Sequence, residues 1–461
     1  MVCTSSIPAA RAGDVIPDVS LYDHSKATAA LATAIYLYHQ EQNSLQTDAI
    51  RNDKEYKFLM VNGNFQGIQN FIFKGYGDTK KYRSKILRGR SFAVSLLSEL
   101  AADMICREIE LPFTSVILGA AGGFTILAPN IPGVTEALKR MKEKINDWLF
   151  DVSYGETVIC FSSLEASCDD FVSGNFIRLW GKKGKLNEET KFSRINLDKY
   201  GGAIEGYLNS FNNTLEPPLC HICGKRPATR KATESDYVKD ASSSCDLCRD
   251  HVFLGTKLAK EDRLAIVESG ASTEQGKDRL LNPVFGKYQV IFPGNKSEEL
   301  IQNGKLLKYW DINFSRLDFS GVTVKFINGY VPVCRNEDRK DKLVLTSAKA
   351  DEILEDIWPG APKSLTHIAC KAKNPAKEEN KFCGMEALGV LKADVDNLGI
   401  LMACGLKPEQ FTLSRLATLS RQLNSYFAVY LPNFLMNLNL KIFTLCLQAA
   451  MIFFSSGRGT A

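Results

Sequence analysis

Histidine is scarce in this chain of 461 residues. There are five, His24, His39, His221, His251 and His367, and none is followed by aspartate. A His-Asp phosphohydrolase centre needs several such ligands. The pair Asp23-His24 is therefore expected to be the polar start of a helix. Acidic residues stop at Glu409, and the chain after it carries none. No apolar run is long enough to span a bilayer, and no signal peptide opens the chain. Charge of one sign is also lacking. With 57 Lys and Arg against 52 Asp and Glu, the net charge of +5 permits a nucleic-acid partner without requiring one. The expectation is a cytoplasmic protein without a membrane partner. Apolar residues make up an ordinary 45%, and the length suggests about three domains, each with its own core.

Cysteine, in contrast, is plentiful, with thirteen residues. Four form two Cys-x-x-Cys pairs, Cys220/Cys223 and Cys245/Cys248. Each pair presents two thiolates to one cation, and two pairs complete a tetrahedral Zn²⁺ site. Four thiolates leave no open position, so the zinc is expected to be structural. The polar stretch 224–244 reads as a ribbon tip, and His221 and His251 as bystanders. Cys334, Cys370, Cys383 and Cys404 show no metal spacing.

Near the C-terminal end stands Ala387-Leu-Gly-Val-Leu-Lys-Ala-Asp-Val-Asp-Asn-Leu-Gly399. Residues 387–393 read as a short buried strand, followed by Asp394 and Asp396. Residues two apart on an extended chain share a face, so both carboxylates can address one Mg²⁺. Solvated aspartates capping a strand are the competing reading.

Residues 56–162 read as strand, helix, hairpin, helix, strand: 56–63, 91–109, 115–118 with 124–128, 134–150 and 157–162. This βαββαβ order is the ferredoxin-like arrangement, with helices on one face of a sheet. Its hairpin turn, 119–123, carries no acidic residue. Lys80, Lys81, Arg83, Lys85, Arg88 and Arg90 read as a basic loop just before a helix N-terminus. That loop either contacts phosphate, with Lys85, Arg88 and Arg90 as candidates, or is simply solvated. Further on, 288–292 and 322–327 read as strands, 298–307 as helix-like, 371–381 as a solvated loop and 413–430 as a helix.

Gly389-Val-Leu-Lys-Ala-Asp-Val-Asp-Asn-Leu-Gly399 resembles the second palm domain of the large subunit of type III-A CRISPR effector complexes, the Csm complex. Gly67-Ile-Gln-Asn-Phe-Ile-Phe73, Lys85-Ile-Leu-Arg-Gly-Arg-Ser-Phe92 and Leu21-Tyr-Asp-His-Ser-Lys26 are similar to motifs of the same family. The resemblance implies an α+β chain with two ferredoxin-like palms, the second incomplete, and a zinc-ribbon insertion. Six segments follow: a helical remnant at 1–50 after an absent nuclease domain, a first palm at 51–165, the insertion at 166–285, a mixed region at 286–385, the start of a second palm at 386–440, and a tail at 441–461. The resemblance also implies Mg²⁺ or Mn²⁺ with ATP near Asp394, Val395, Asp396 and Asn397, with the two palms facing each other. The implied partners are crRNA, target RNA, single-stranded DNA and other Csm subunits, especially the small subunit and the one that binds the crRNA 5′ end.

The family's second palm carries a Gly-Gly-Asp-Asp hairpin that completes the metal site. Here the corresponding stretch, Gln448-Ala-Ala-Met-Ile-Phe453, has no carboxylate. The codons that could encode it, CAR GCN GCN ATG ATH TTY, are compatible with Gly-Gly-Asp-Asp-Phe after loss of two bases. The tail from 441 is thus expected to be out of frame, without the remaining palm strands. The family's activities are single-stranded DNA cleavage and cyclic oligoadenylate synthesis from ATP. Both are expected to be lost, leaving either a non-catalytic, zinc-stapled RNA-binding scaffold or an inactive fragment.

Overall fold

The computed structural model describes residues 2–9, 17–74, 82–120, 122–200, 216–270, 278–293, 306–312, 323–325, 329–330, 332–376, 378, 381–393, 396–437, 445–448 and 451–456. In chain order the main elements are α1 (Leu21–Glu41), β1 (Phe58–Gln66), α2 (Ile68–Phe73), α3 (Arg83–Glu108), β2 (Val116–Ala120), β3 (Gly123–Pro129), α4 (Pro132–Ser153), β4 (Val158–Ala166), α5 (Phe176–Thr190), α6 (Asp246–Lys257), β5 (Arg263–Glu268), β6 (Tyr288–Ile291), β7 (Leu306–Asp311), β8 (Thr323–Val324) and β9 (Gly329–Tyr330). They continue with α7 (Ala350–Asp356), α8 (Leu365–Cys370), β10 (Gly389–Ala393), α9 (Leu398–Cys404), α10 (Leu413–Ser425), α11 (Leu431–Asn437), β11 (Leu445–Gln448) and β12 (Met451–Ser456). The chain divides into two compact units. One comprises 1–74, 94–212 and 396–424, the other 75–93, 213–395 and 425–461.

The first unit is built on an antiparallel sheet in the order β2-β3-β1-β4. Strand alternation sends Phe58 and Met60 to one face and Leu59 and Val61 to the other, and all four are buried. On the first face Phe58, Met60, Ile117, Leu127 and Ala166 pack with Ala27, Ala30 and Ala34 of α1, Phe176 and Leu179 of α5, and Leu413, Leu416 and Ala417 of α10. Helices on a single face were expected. Both faces are in fact buried, because α1, α5 and α10 come from outside the βαββαβ segment. A polar column crosses this face: Thr125 donates to Asn62 Oδ1 at 2.9 Å, and Ser162 donates to Asn187 of α5 at 2.7 Å. On α4, Val134, Ala137, Met141, Ile145 and Leu149 form the buried stripe of an amphipathic helix.

In the second unit, β6-β5-β7-β8 form one sheet and β10-β12-β11-β9 another. Three expectations fail here. Residues 306 and 307 are strand, not helix, because Leu306 and Tyr309 join the core of the β5 sheet; residues 298–305 lie outside the described residues. The loop at 371–381 contains a short ladder, Asn374–Pro375 against Phe382–Cys383. Strands are also present beyond 440: β11 and β12 form a hairpin, and β12 pairs with β10. A ladder is held by backbone groups, and Leu-Cys-Leu and Met-Ile-Phe-Phe are good strand formers. The helix expected at 413–430 ends at Ser425 and continues as a π-turn, Tyr426–Tyr430, then α11.

Candidate metal centre

The first thiol pair sits in a tight turn. Gly224 N–H donates to Cys220 O at 2.8 Å, and Cys220 N–H to Arg226 O at 2.7 Å. Gly224 takes a φ of 64°, the left-handed conformation that glycine adopts without strain. The second pair opens a helix, since Cys245 is the N-cap of α6 and Cys248 lies in its first turn. A β-ribbon was expected. The stretch 224–244 instead holds two short helical turns, Arg230–Thr233 and Asp236–Val238, the first capped by Thr229. The helix N-terminus favours thiolate at Cys248.

All four cysteines are buried, and their sulfurs lie within 4.8 Å of one another. Cys223 Sγ and Cys245 Sγ are 4.0 Å apart, too far for a disulfide. A tetrahedron with metal–sulfur bonds of about 2.3 Å has edges of about 3.8 Å, which suits this quartet. Four crowded thiols without a cation must share protons. Hydrogen bonding, from Cys220 first, holds the Cys223 thiol far below its usual range, while Cys245 and Cys248 are pushed well above it, by Cys220 first. A divalent cation removes that conflict, so the site fits a thiolate-bound metal. Among the described residues no histidine or carboxylate joins the group.

The quartet is embedded in a small core with Ile222, Val238, Ala241 and Val252, joined by Tyr82 and Ile86 from the start of α3. Asp240 N–H donates to Tyr82 Oη at 3.0 Å. The basic stretch expected as a loop is the first part of this helix. Its periodic Tyr82 and Ile86 carry the helix back from 91 to Arg83, because they face the cysteine core. Arg88 Nη1 donates to Gly255 O at 2.6 Å, and Arg90 is only 4% exposed. Lys85 and Arg88 are half-buried and Arg83 is exposed, while Lys80 and Lys81 lie outside the described residues. Nearby, Arg249 pairs with Asp250 at 3.0 Å and donates to Arg279 O at 2.7 Å. Burial raises the Asp250 carboxyl to about 6, against the pull of the Leu281 N–H and Arg249. Sequence reasoning missed this helix crossing. The signal was Gly89, a glycine inside a helix-periodic run.

Of the strand-end residues, Asp394 and Val395 lie outside the described residues. Asp396 and Asn397 are exposed, and Asn397 takes a left-handed φ of 54° before α9. The pair Asp23-His24 is a helix start: Ser20 caps α1 and donates to Asp23 at 2.7 Å. Asp23 is 3% exposed and also accepts from Thr418 and Arg421, both at 2.9 Å. It joins α1 to α10. Among the described residues no helix is long and apolar enough to cross a membrane.

Residues 57–202 match the family model described as Csm1 subunit domain B, and residues 387–451 match Cas10/Cmr2, second palm domain. A Methanocaldococcus jannaschii protein described as CRISPR system single-strand-specific deoxyribonuclease Cas10/Csm1 (subtype III-A) is 26% identical, over 92% of this chain and 52% of its own length. An Enterococcus italicus protein of the same description is 24% identical, over 94% of this chain and 51% of its own. The chain thus spans about half the length of the curated relatives it matches. An apo Csm1-Csm4 cassette shares the fold with a TM-score of 0.61 and 18% identity, over 95% of this chain and 50% of that one. Csm1 of T. onnurineus aligns with a TM-score of 0.57, also at 18% identity, over 95% and 48%. The two matched domains and the relatives spanning nine-tenths of the sequence agree: the chain carries Csm1/Cas10 domains and is similar to the Cas10/Csm1 proteins of subtype III-A CRISPR systems, whose fold it shares.

Proposed function

We propose that this chain is the large-subunit component of a type III-A RNA-guided defence complex, that it binds Mg²⁺- or Mn²⁺-ATP, and that it does not synthesise cyclic oligoadenylates. One observation carries the reading. Strand β10 runs into Asp394-Val-Asp-Asn397 within the stretch that matches the second palm domain. Asp394 and Asp396 would hold the metal, with Val395 and Asn397 beside the nucleotide. Bound metal supplies charge stabilisation to a transferring phosphoryl group. Transfer needs carboxylates for both the attacking and the leaving oxygens. In sequence, Gln448, Ala449 and Ala450 stand in their place. The element order and the strand order β2-β3-β1-β4 support a ferredoxin-like first palm within 51–165. The sulfur quartet supports a structural zinc within 166–285. Relatives solved as Csm1-Csm4 subcomplexes support partners among the other Csm subunits, with crRNA and target RNA reached through them.

The test is co-expression with the partner subunits and crRNA, followed by incubation with target RNA, ATP and Mg²⁺ or Mn²⁺. Co-purification with the complex and metal-dependent ATP binding that Asp394→Ala weakens are expected, with no oligoadenylate. Product that disappears in Asp394→Ala would show that the chain is catalytic. Failure to co-purify would overturn the assignment to the complex.

A further inference from the structure

We propose that the solvent-facing stripe of α5, formed by Arg178, Gly181, Lys182 and Lys185, is a docking rail for the sugar-phosphate backbone of single-stranded RNA. The choice of RNA rests on the guide-RNA reading above. The charge and the open space are properties of the helix itself.

Positions 178, 181, 182 and 185 follow the i, i+3, i+4, i+7 rule and lie on one helix face. Phe176 and Leu179 are buried on the opposite side, and all four stripe residues are exposed. Arg178, Lys182 and Lys185 are separated by about 6 and 4.5 Å along the axis, so their long side chains can reach successive phosphates. In the same unit Lys191 pairs with Glu188 and Lys199 with Asp147, each at 2.5 Å. Among the described residues the stripe cations have no carboxylate partner, and Arg178 only donates to Asn175 Oδ1, at 2.5 Å. No acidic residue occurs from 172 to 187, and Glu188 and Glu189 end the stripe in the last turn. Lys183 does not belong to it, being folded back over the Trp180 ring at 3.5 Å.

The glycine is the second observation. Glycine inside a helix costs stability, and it usually persists where another segment packs closely. A Cβ on Gly181 would meet nothing within 4 Å. The fold thus supplies no reason for it, whereas a backbone lying along the stripe would need the space. An acidic protein surface would be drawn to the same charges but has no need of a bare helix backbone at the centre of the row.

The experiment uses the full chain and a short unstructured RNA, with affinity followed by fluorescence polarisation over a salt series. Arg178→Gln/Lys182→Gln/Lys185→Gln is expected to bind about tenfold more weakly, with a log K against log salt slope shallower by about 2. Gly181→Leu is expected to raise the thermal midpoint and yet weaken RNA binding several-fold, a combination that damage to the fold cannot produce. Unchanged affinity and slope in both variants overturns the rail. So does a stripe-dependent interaction with an acidic polypeptide in the absence of RNA binding. Co-purification of the triple variant with the partner subunits separates this test from the assignment itself: a complex that assembles but binds RNA unchanged refutes the rail alone.

Discussion

Gly255 and Lys85 meet backbone to backbone. A Cβ on Gly255 would lie 1.8 Å from the Lys85 carbonyl oxygen, and one on Gly89 would lie 1.9 Å from that of His251. Two helices therefore cross where neither tolerates a side chain, and Arg88 donates to Gly255 O at the same point. Gly255→Val should force the helices apart and destabilise the second unit by about 2–4 kcal/mol. Urea unfolding followed by Trp fluorescence checks this; a loss below about 0.5 kcal/mol would mean that the crossing relaxes at little cost.

The metal prediction is one zinc per chain. Protein purified without chelator should contain zinc at about one equivalent, and Cys220→Ser should lose it and expose the 216–260 segment to protease. Because Tyr82 and Ile86 belong to the cysteine core, hydrogen exchange should also rise at the start of α3. Elemental analysis finding no zinc would refute the assignment.

Asp23 is expected to matter for stability and not for metal. Asp23→Ala leaves Arg421 and Thr418 without their shared acceptor and should cost about 1–3 kcal/mol. Asp23→Asn should recover part of this. Metal content unchanged in both variants is the discriminating readout, since a ligand would lose metal.

His367 should make stability fall with acid. Its Nε2 is buried 3.6 Å from Asp338 Oδ1, and Cys334 Sγ lies 3.8 Å from its Nδ1. Burial first, then Lys363 and Lys371, lowers its pKa to about 4, while Asp338 and Asp341 pull the other way. The unfolded imidazole, near 6.5, binds its proton earlier than the folded one. The contribution is therefore complete above about pH 6.5 and is lost as pH falls through 4. Thermal midpoints measured between pH 7 and 4 should fall more steeply for the parent than for His367→Phe; identical slopes would refute this.

The sequence by itself determined what is local. Four cysteines at paired spacing, the βαββαβ alternation, the helix start at Asp23 and the strand before Asp394 all depend on neighbours within a few residues, and periodicity or ligand spacing reads such features directly. Tertiary structure alone decided the rest. Arg88 and Arg90 look like a solvated basic loop until α6 is placed against them, and nothing adjacent in sequence announces a partner some 165 residues away. Asp23 looks like a surface cap until α10, nearly 400 residues later, brings Arg421 to it. The strands at 445–456 are not expected from a tail that reads out of frame, yet strand pairing depends on backbone groups that every residue carries. Long-range packing assigns a charged side chain to an ion pair, a helix crossing or solvent, and that choice is made by contacts that no short window of sequence contains.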